Sequence, residues 1–178
     1  MTIKVMGIAG SPRKGGNTDL ILDSFLSGAR AAGSEVLKVN LVDYALKQCR
    51  GCGVCGTTHK CIIKDKMDGL INDLVSADVI VLATPVYFYT LSGTMKTFID
   101  RTVPRYTELA GKDFYFIAAM WDNNSQHMDL TFNSLSGFTD CIPDAHVKGL
   151  IRGIGLWEKG AVKGSPVLLE AYQMGMKV

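Results

Sequence analysis

The segment Ile3–Thr18, IKVMGIAGSPRKGGNT, predicts the first strand, turn and helix of the fold. Its apolar run Ile3–Ala9 ends abruptly at Gly10, and an amphipathic helical pattern begins at Thr18. Glycines allow backbone N–H groups to approach a phosphate closely, and the helix N-terminus adds partial positive charge. Two cations and several small donors share the turn, so we predict an anion-binding loop rather than a bare turn capped by Asn17 or Thr18.

The rest of the chain alternates between strand and helix patterns. Further strands are predicted at Glu35–Leu41, Val79–Thr84, Phe114–Met120 and Val147–Gly153. Helices are predicted at Thr18–Ala32, after caps at Asp65 and Ser92, at Met128–Cys141, and from Ser165-Pro166 to about Gly175. Apolar strands three and four suit the sheet centre, and mixed strands two and five suit its edges. We therefore predict an α/β doubly wound, five-stranded parallel sheet in the order 2-1-3-4-5, with helices on both faces.

Two loops lie where this strand order would place a ligand, at the carboxyl ends of strands one and three. The first is Gly10–Thr18. The second, Pro85–Ser92, contains the aromatic run Tyr87–Tyr89, which either packs against a ligand ring or simply packs the loop. Trp121 follows strand four at the same edge. A phosphate-binding turn with aromatic walls predicts a nucleotide-like cofactor with a large ring, although the dinucleotide pattern G-x-G-x-x-G is absent.

A cysteine-rich loop is predicted at residues 48–63, with the spacing C-x2-C-x2-C-x5-C. Its cysteines are Cys49, Cys52, Cys55 and Cys61. Clustered thiols in a reducing compartment indicate metal or redox chemistry, and four thiolates suit a [4Fe–4S] cluster or zinc. Other interpretations remain: an empty or oxidised site, zinc with His59 as a spare ligand, or simple packing. The fifth cysteine, Cys141, is expected in the core.

The length, charge and composition of the chain limit which functions are possible. The chain has 178 residues and a net charge of +2, and 47% of its residues are hydrophobic. These values predict one domain over residues 1–178 and argue against nucleic acid as a partner. No apolar run approaches the roughly 20 residues of a membrane span and no secretory signal is visible, so we expect no membrane partner and a cytoplasmic location.

No familiar set of catalytic side chains stands out. A Ser-His-Asp set, paired carboxylates at suggestive spacing and H-E-x-x-H are all missing, and His127 and His146 have no visible partner. The catalytic residues therefore stay unassigned, as expected where a bound cofactor performs the difficult chemistry.

Three segments, GSPRKGGNT at Gly10–Thr18, ADVIVLATPVYFYTLSGTMKTFIDR at Ala77–Arg101 and EKGAVKGSPVLLEAYQMGM at Glu158–Met176, carry a resemblance. Together they resemble the flavodoxin-fold family of NAD(P)H-dependent FMN reductases, which includes the iron–sulfur flavoproteins. The resemblance implies that the FMN phosphate is held by Ser11, Arg13, Asn17 and Thr18. It implies that the isoalloxazine ring is bordered by Pro85, Val86, Tyr87 and Phe88. It also implies a homodimer or homotetramer.

Three functions therefore remain open. The first is an FMN-dependent oxidoreductase that moves electrons from NAD(P)H through FMN to a small-molecule or protein acceptor. The second is an iron–sulfur flavoprotein that carries electrons between protein partners, with a [4Fe–4S] cluster on the four clustered cysteines. The third is a non-catalytic binder of a phosphate ligand, with structural zinc.

Overall fold

The computed structural model describes residues 2–178, which fold around one twisted sheet. The strands are β1 (Lys4–Ala9), β2 (Glu35–Asn40), β3 (Val79–Tyr87), β4 (Thr90–Leu91), β5 (Asp113–Ala119) and β6 (His146–Gly153). The helices are α1 (Asn17–Ala31), α2 (Cys55–Thr58), α3 (Met67–Ser76), α4 (Gly93–Asp100), α5 (Asp129–Thr139) and α6 (Pro166–Gly175).

The sheet follows the order β2-β1-β3-β5-β6, and all four neighbouring pairs are parallel. These five strands are the predicted ones in the predicted order. The prediction of five strands was nevertheless incomplete, because the two-residue strand β4 pairs antiparallel with the end of β3. Such a short hairpin is too short to show a periodic pattern in the sequence.

Helices cover both faces of the sheet, as the alternation predicted. On one face, α3, α4 and α5 bury Leu70, Phe98 and Leu135 against the central strands. On the other face, α1 and α6 bury Leu22 and Ala171. The amphipathic patterns therefore correspond to two separate apolar layers, and the carboxyl ends of the strands are left open for a site.

Local capping accounts for several helix starts. Ser92 accepts a hydrogen bond from the Met95 N–H, and Ser165 accepts one from the Val167 N–H, so both predicted caps are confirmed. Asp65 bonds the Met67 N–H, although the residue at the N-cap position of α3 is Lys66.

Two expectations about the cysteines were wrong. The segment 48–63 is not only loop, because the short helix α2 lies within it. Cys141 is exposed rather than part of the core, because it follows the last turn of α5 and turns toward solvent. Its thiol donates to the Gly137 carbonyl. Among the described residues, no helix is both long and apolar enough to cross a membrane.

The contact between α1 and α6 depends on two glycines. A Cβ atom on Gly28 would lie 2.1 Å from the carbonyl oxygen of Tyr172, and a Cβ on Gly175 would lie 2.0 Å from that of Phe25. Neither contact can be relieved by moving a side chain, because both neighbours are backbone atoms. The helices therefore approach each other more closely than any larger residue allows.

We expect Gly28→Ala to destabilise the fold by about 3 kcal/mol, because α6 must move away from α1 to make room for the methyl group. Gly137 provides a matched control: it is an exposed helical glycine in α5 with open space around its Cα. Gly137→Ala should stabilise the protein by about 0.5–1 kcal/mol through helix propensity. Urea unfolding measures both values, and a Gly28→Ala variant as stable as wild type would refute the close-packing interpretation.

Candidate functional site

Two segments meet at the carboxyl ends of β1 and β3: the glycine loop (residues 10–18) and residues 85–92, which we call the aromatic loop. The prediction of an open loop at 85–92 was wrong, because β3 continues to Tyr87 and pairs with β4, which leaves only Phe88 and Tyr89 as the turn of a hairpin. The Gly10 N–H donates to a carbonyl of β3 at 2.7 Å, and the Ser92 hydroxyl donates to the Gly10 carbonyl at 2.8 Å. A Cβ on Gly10 would lie 2.9 Å from that of Met95, so only glycine permits this approach. The two loops are thus fixed to each other.

Hydrogen bonds within the glycine loop shape it as an open turn. The Ser11 hydroxyl accepts from the Arg13 N–H at 3.1 Å, and Asp19 accepts from the Gly15 N–H at 2.7 Å. Lys38 in turn pairs with Asp19 at 2.6 Å. Burial opposes the charge on Lys38, but its hydrogen bonds to carboxylates outweigh this and raise its pKa. Because Lys38 balances the negative charge of Asp19, this carboxylate does not repel an anion from the first N–H groups of α1.

Asn17 makes contacts that the sequence does not predict. Its amide nitrogen donates to the carbonyls of Leu156 and Glu158, at 3.3 and 2.8 Å, and its amide oxygen accepts from the Val162 N–H at 3.2 Å. The side chain therefore holds the segment after β6 over the glycine loop. What Asn17 offers to an anion is its backbone N–H at the start of α1.

All eight residues predicted to hold a cofactor line two adjoining cavities. The first, of about 160 Å³, runs from the glycine loop to the aromatic loop and is lined by seven of the eight, all but Phe88. The second, of about 450 Å³, is the aromatic cleft. Its walls include Tyr87, Phe88, Tyr89, Trp121, Trp157 and Asp122. The structure shows that these residues share one location. Their binding of FMN stays a prediction.

Sequence reasoning missed residues that follow β6. Leu156, Trp157 and Lys159 line the first cavity opposite the glycine loop, and Trp157 also lines the aromatic cleft. Lys159 lies near the glycine loop, where its side chain would be 3.7 Å from a Cβ on Gly15. The predicted strand order could have pointed to these residues, because β6 is parallel to β1 and its carboxyl end must reach the same edge of the sheet.

The sharp turn of the aromatic loop presents its rings to solvent. Phe88 and Tyr89 both have positive φ, 49° and 66°, and Phe88 is 98% exposed. Positive φ at two successive residues is the geometry of a tight hairpin turn, and it is uncommon for aromatic residues. The Tyr89 carbonyl accepts from the Thr131 hydroxyl at 2.9 Å, which fixes the turn to α5.

His127, for which the sequence showed no partner, is hydrogen-bonded at both ring nitrogens. Its Nδ1 is hydrogen-bonded to the carboxylate of Asp122, and its Nε2 accepts from Asn124 at 3.2 Å. The ring also meets Tyr89 edge-on, with centroids 5.1 Å apart. The Asn124 N–H, followed by His127, holds the pKa of Asp122 below its ordinary value. The carboxylate is therefore ionised at the wall of the aromatic cleft.

The four clustered cysteines line one further cavity of about 290 Å³, together with apolar side chains such as Ile63 and Val103. Gly51 and Gly53 have positive φ and allow the loop to wrap around it. Within residues 2–178, however, no three His, Cys, Asp or Glu side chains are arranged to hold a metal ion. His59 lines a different cavity, so its predicted role as a spare zinc ligand has no support in the geometry.

A buried ion pair closes the base of the cysteine-rich loop. Arg101, only 1% exposed, donates to both carboxylate oxygens of Asp65 at 2.7 and 2.9 Å and to the Lys47 carbonyl at 2.6 Å. Its hydrogen bonds hold the pKa of Asp65 at about 2. Asp65 and, more weakly, the Cys61 thiol raise the pKa of Arg101. Because Lys47 precedes the loop and Asp65 follows it, this pair fixes both ends.

Comparison with known proteins gives a family match. The sequence model of a family described as NADPH-dependent FMN reductase matches residues 3–139, which is most of the chain. An iron–sulfur flavoprotein of Archaeoglobus fulgidus is 41% identical over 102 residues, which are 57% of this chain and 46% of that protein. The chain thus spans about half the length of the curated iron–sulfur flavoproteins that it matches.

Solved structures match the fold over nearly the whole chain. An azoreductase from Bacillus anthracis superposes with a TM-score of 0.74 at 15% identity, and the match covers 100% of both chains. A flavodoxin from the domain Archaea gives a TM-score of 0.64 at 14% identity, covering 98% of this chain and 95% of the flavodoxin. At such identities the likeness establishes a flavodoxin-like fold.

We expect Asp65→Asn to destabilise the protein by about 3–5 kcal/mol, because it leaves the buried Arg101 charge without its counter-ion. Asp100 provides the control, since it pairs with Lys96 on the exposed face of α4. Asp100→Asn should cost about 0.5 kcal/mol or less. Urea unfolding compares the two, and equal losses would contradict the importance of burial.

The Asp65–Arg101 pair makes the free energy of unfolding depend on pH. The Asp65 pKa is about 2 in the folded protein and 3.8 ordinarily, so its contribution is complete above about pH 4. The wild type should lose roughly 2 kcal/mol of stability as the pH falls through this range. Asp65→Asn should lack this part of the acid dependence, whereas Asp100→Asn should retain it.

Proposed function

Since this chain belongs to the NADPH-dependent FMN reductase family, we propose that it binds FMN in the first cavity, with the flavin ring at the boundary of the aromatic cleft, and moves electrons from NAD(P)H to an acceptor. The observation that carries the proposal is the physical link between the glycine loop and the aromatic loop. Their junction at Gly10 joins an anion-binding turn to a set of ring-binding walls within one continuous site.

The residues present fit FMN at both ends of the molecule. At the phosphate end, the Ser11 hydroxyl, the Arg13 guanidinium and the N–H groups at the start of α1 offer donors and positive charge. Lys159 adds a second cation there. At the ring end, the aromatic loop and Trp121 offer flat apolar surfaces. A phosphate joined to a large ring is the ligand that satisfies both ends together.

Bound FMN supplies a ring that accepts a hydride from reduced nicotinamide and passes electrons on to an acceptor. The protein's own residues bind and orient the cofactor. The glycine loop fixes its phosphate, and Pro85, Val86 and Tyr87 border the place of its ring. The aromatic cleft beside that place leaves room for the reaction partner, because it opens on the same walls. The proposal extends to a single domain over residues 1–178, a cytoplasmic location and homo-oligomeric assembly.

A second candidate, the iron–sulfur flavoprotein, is favoured by one observation: all four clustered cysteines line one cavity next to the Arg101 charge. The relatives matched at 41% and 39% identity carry that name. In the described arrangement the thiols do not fit a metal ion, so a cluster requires the loop to rearrange. The non-catalytic zinc alternative loses its basis, because the family is one of flavin oxidoreductases.

Arg13→Gln should weaken FMN binding about tenfold or more, because a charged hydrogen bond to the phosphate is lost. Riboflavin lacks the phosphate, so its affinity should change by less than about twofold. Arg30→Gln is the control, since Arg30 is exposed at the far end of α1. Titration followed by flavin fluorescence measures each affinity. Equal weakening of FMN and riboflavin would show that Arg13 does not contact the phosphate.

We expect protein purified without oxygen to show flavin absorption and to oxidise NADPH or NADH when the quinone menadione is added. Absence of turnover with either nucleotide would refute the proposed donor. Absence of flavin binding even after FMN is added would refute the site itself.

The same preparation separates the two candidates. An iron and sulfide assay should find about four irons per chain if the second candidate is correct. This iron should be lost in Cys52→Ala and retained in Cys141→Ala, because Cys141 lies outside the cysteine-rich loop. FMN with no iron in the wild type would leave the flavin oxidoreductase alone.

A further inference from the structure

We propose that the aromatic cleft binds a planar ring that carries a positive charge, and that Asp122 selects for this charge. The proposal deepens the proposed function and rests on it, because the cleft adjoins the cavity assigned to FMN. It concerns the class of molecule that meets the flavin, which the family description does not specify beyond NADPH.

Aromatic rings dominate the walls of the cleft. Tyr87, Phe88 and Tyr89 come from the aromatic loop, while Trp121 and Trp157 lie in the segments that follow β5 and β6. The two indole rings meet edge to face, with centroids 5.8 Å apart. The face of an aromatic ring is electron-rich and attracts cations, tryptophan most strongly. A flat cationic ring can therefore both stack on these walls and be attracted by them.

Charge is distributed along the site in a way that supports this inference. Arg13 and Lys159 line the cavity at the phosphate end, whereas Asp122 lines the cleft at the other end. Among the cleft-lining side chains of residues 2–178, Asp122 is the one that carries a full charge at neutral pH. The site thus presents positive charge to a phosphate and negative charge to whatever enters the cleft.

His127 fixes the position of the Asp122 carboxylate. Its Nδ1 is hydrogen-bonded to the Asp122 carboxylate and its Nε2 to the Asn124 side chain, so both ring nitrogens are fixed. The same ring supports Tyr89 edge-on, so one side chain positions both a wall of the cleft and its carboxylate. His127 is accordingly a positioning residue for the cleft.

Selection for a positive charge would distinguish an oxidised acceptor from its reduced product. A cationic aromatic acceptor that takes one hydride gains a proton and two electrons and becomes neutral, and the hydride comes from NAD(P)H, which becomes NAD(P)⁺. The neutral product loses its attraction to Asp122 and to the aromatic faces. The cleft therefore holds the oxidised acceptor more tightly than the reduced product, which favours release after each turnover.

Both tryptophans of the chain line the cleft, so its occupancy can be observed directly. Their two indole N–H signals in a ¹⁵N NMR spectrum should shift on titration with 1-methylnicotinamide, a cation, and with neutral nicotinamide. We expect the cation to bind roughly tenfold more tightly. Asp122→Asn should remove about five- to tenfold of the cation affinity and leave that of nicotinamide within about twofold.

Glu170→Gln is the matched control, because it also removes one negative charge but lies on the exposed face of α6 outside the cleft. It should change neither affinity. Asparagine can still accept from the Asn124 N–H, so the Asp122 variant keeps the turn, and the unchanged nicotinamide affinity verifies this. Equal affinity of the wild type for the two ligands would overturn the proposal, as would a cation preference that survives in Asp122→Asn.

The titration is run on protein with and without saturating FMN, and FMN affinity is measured separately. Loss of FMN binding would refute the proposed function, while the charge preference could still be read from the indole signals. A second arm separates two sources of the cationic ring. If the source is the acceptor, Asp122→Asn lowers kcat/KM for the cationic dye methylene blue but not for neutral menadione. If the source is the oxidised nicotinamide, the variant instead weakens inhibition by NADP⁺.

Discussion

The hydrogen bonds around Gly10 join the two halves of the site. The Gly10 N–H continues the pairing of β1 with β3, and its carbonyl receives the hydroxyl of Ser92, which also caps α4. A single residue therefore sets the position of the glycine loop relative to the aromatic loop. The junction lies at the carboxyl ends of two central parallel strands, and these strands hold it in position. The proposed binding of one ligand by both loops depends on this junction.

The hydrogen-bond and ion-pair partners of the charged side chains determine where positive and negative charge lie in the site. Asp19 lies in the first turn of α1, where a free carboxylate would repel a phosphate, and its pairing with Lys38 removes that conflict. At the opposite end, the Asn124 N–H, followed by His127, holds the pKa of Asp122 below its ordinary value, so this carboxylate is ionised at neutral pH. A chain with a net charge of only +2 thus carries a positive and a negative pole within one cavity system. We propose that this polarity orients the ligand.

The cysteine-rich loop is anchored separately from the proposed flavin site. Asp65 and Arg101 join the two ends of the loop to the end of α4, where the guanidinium also lies beside Cys61. A buried ion pair of this kind is weak evidence for stability in itself, but removing one partner leaves an uncompensated charge. The loop between these anchors holds several glycines and exposed thiols, so its own conformation is less constrained than its ends.

Local patterns in the sequence were sufficient to predict the parallel strand order, the layers of helices, the caps at Ser92 and Ser165, and the shared edge of the two loops. These features follow from burial periodicity and from hydrogen bonds between near neighbours, both of which a sequence displays. The eight predicted cofactor residues come from the same two loops, so their common location also follows from strand order.

Pairs of residues that lie far apart in the chain could be identified only in the packed structure. Arg101 and Asp65 are 36 positions apart, and Asn17 and Val162 are 145 apart. Such pairs depend on the distance between packed elements, which no local pattern records. The exposure of Cys141, the partner of His127 and the approach of α6 to Gly28 belong to the same class. Which elements form and which edge they share could be predicted from the chain alone, because those are local properties. Side-chain partners across the fold required the packed structure, because contact is a property of the whole chain.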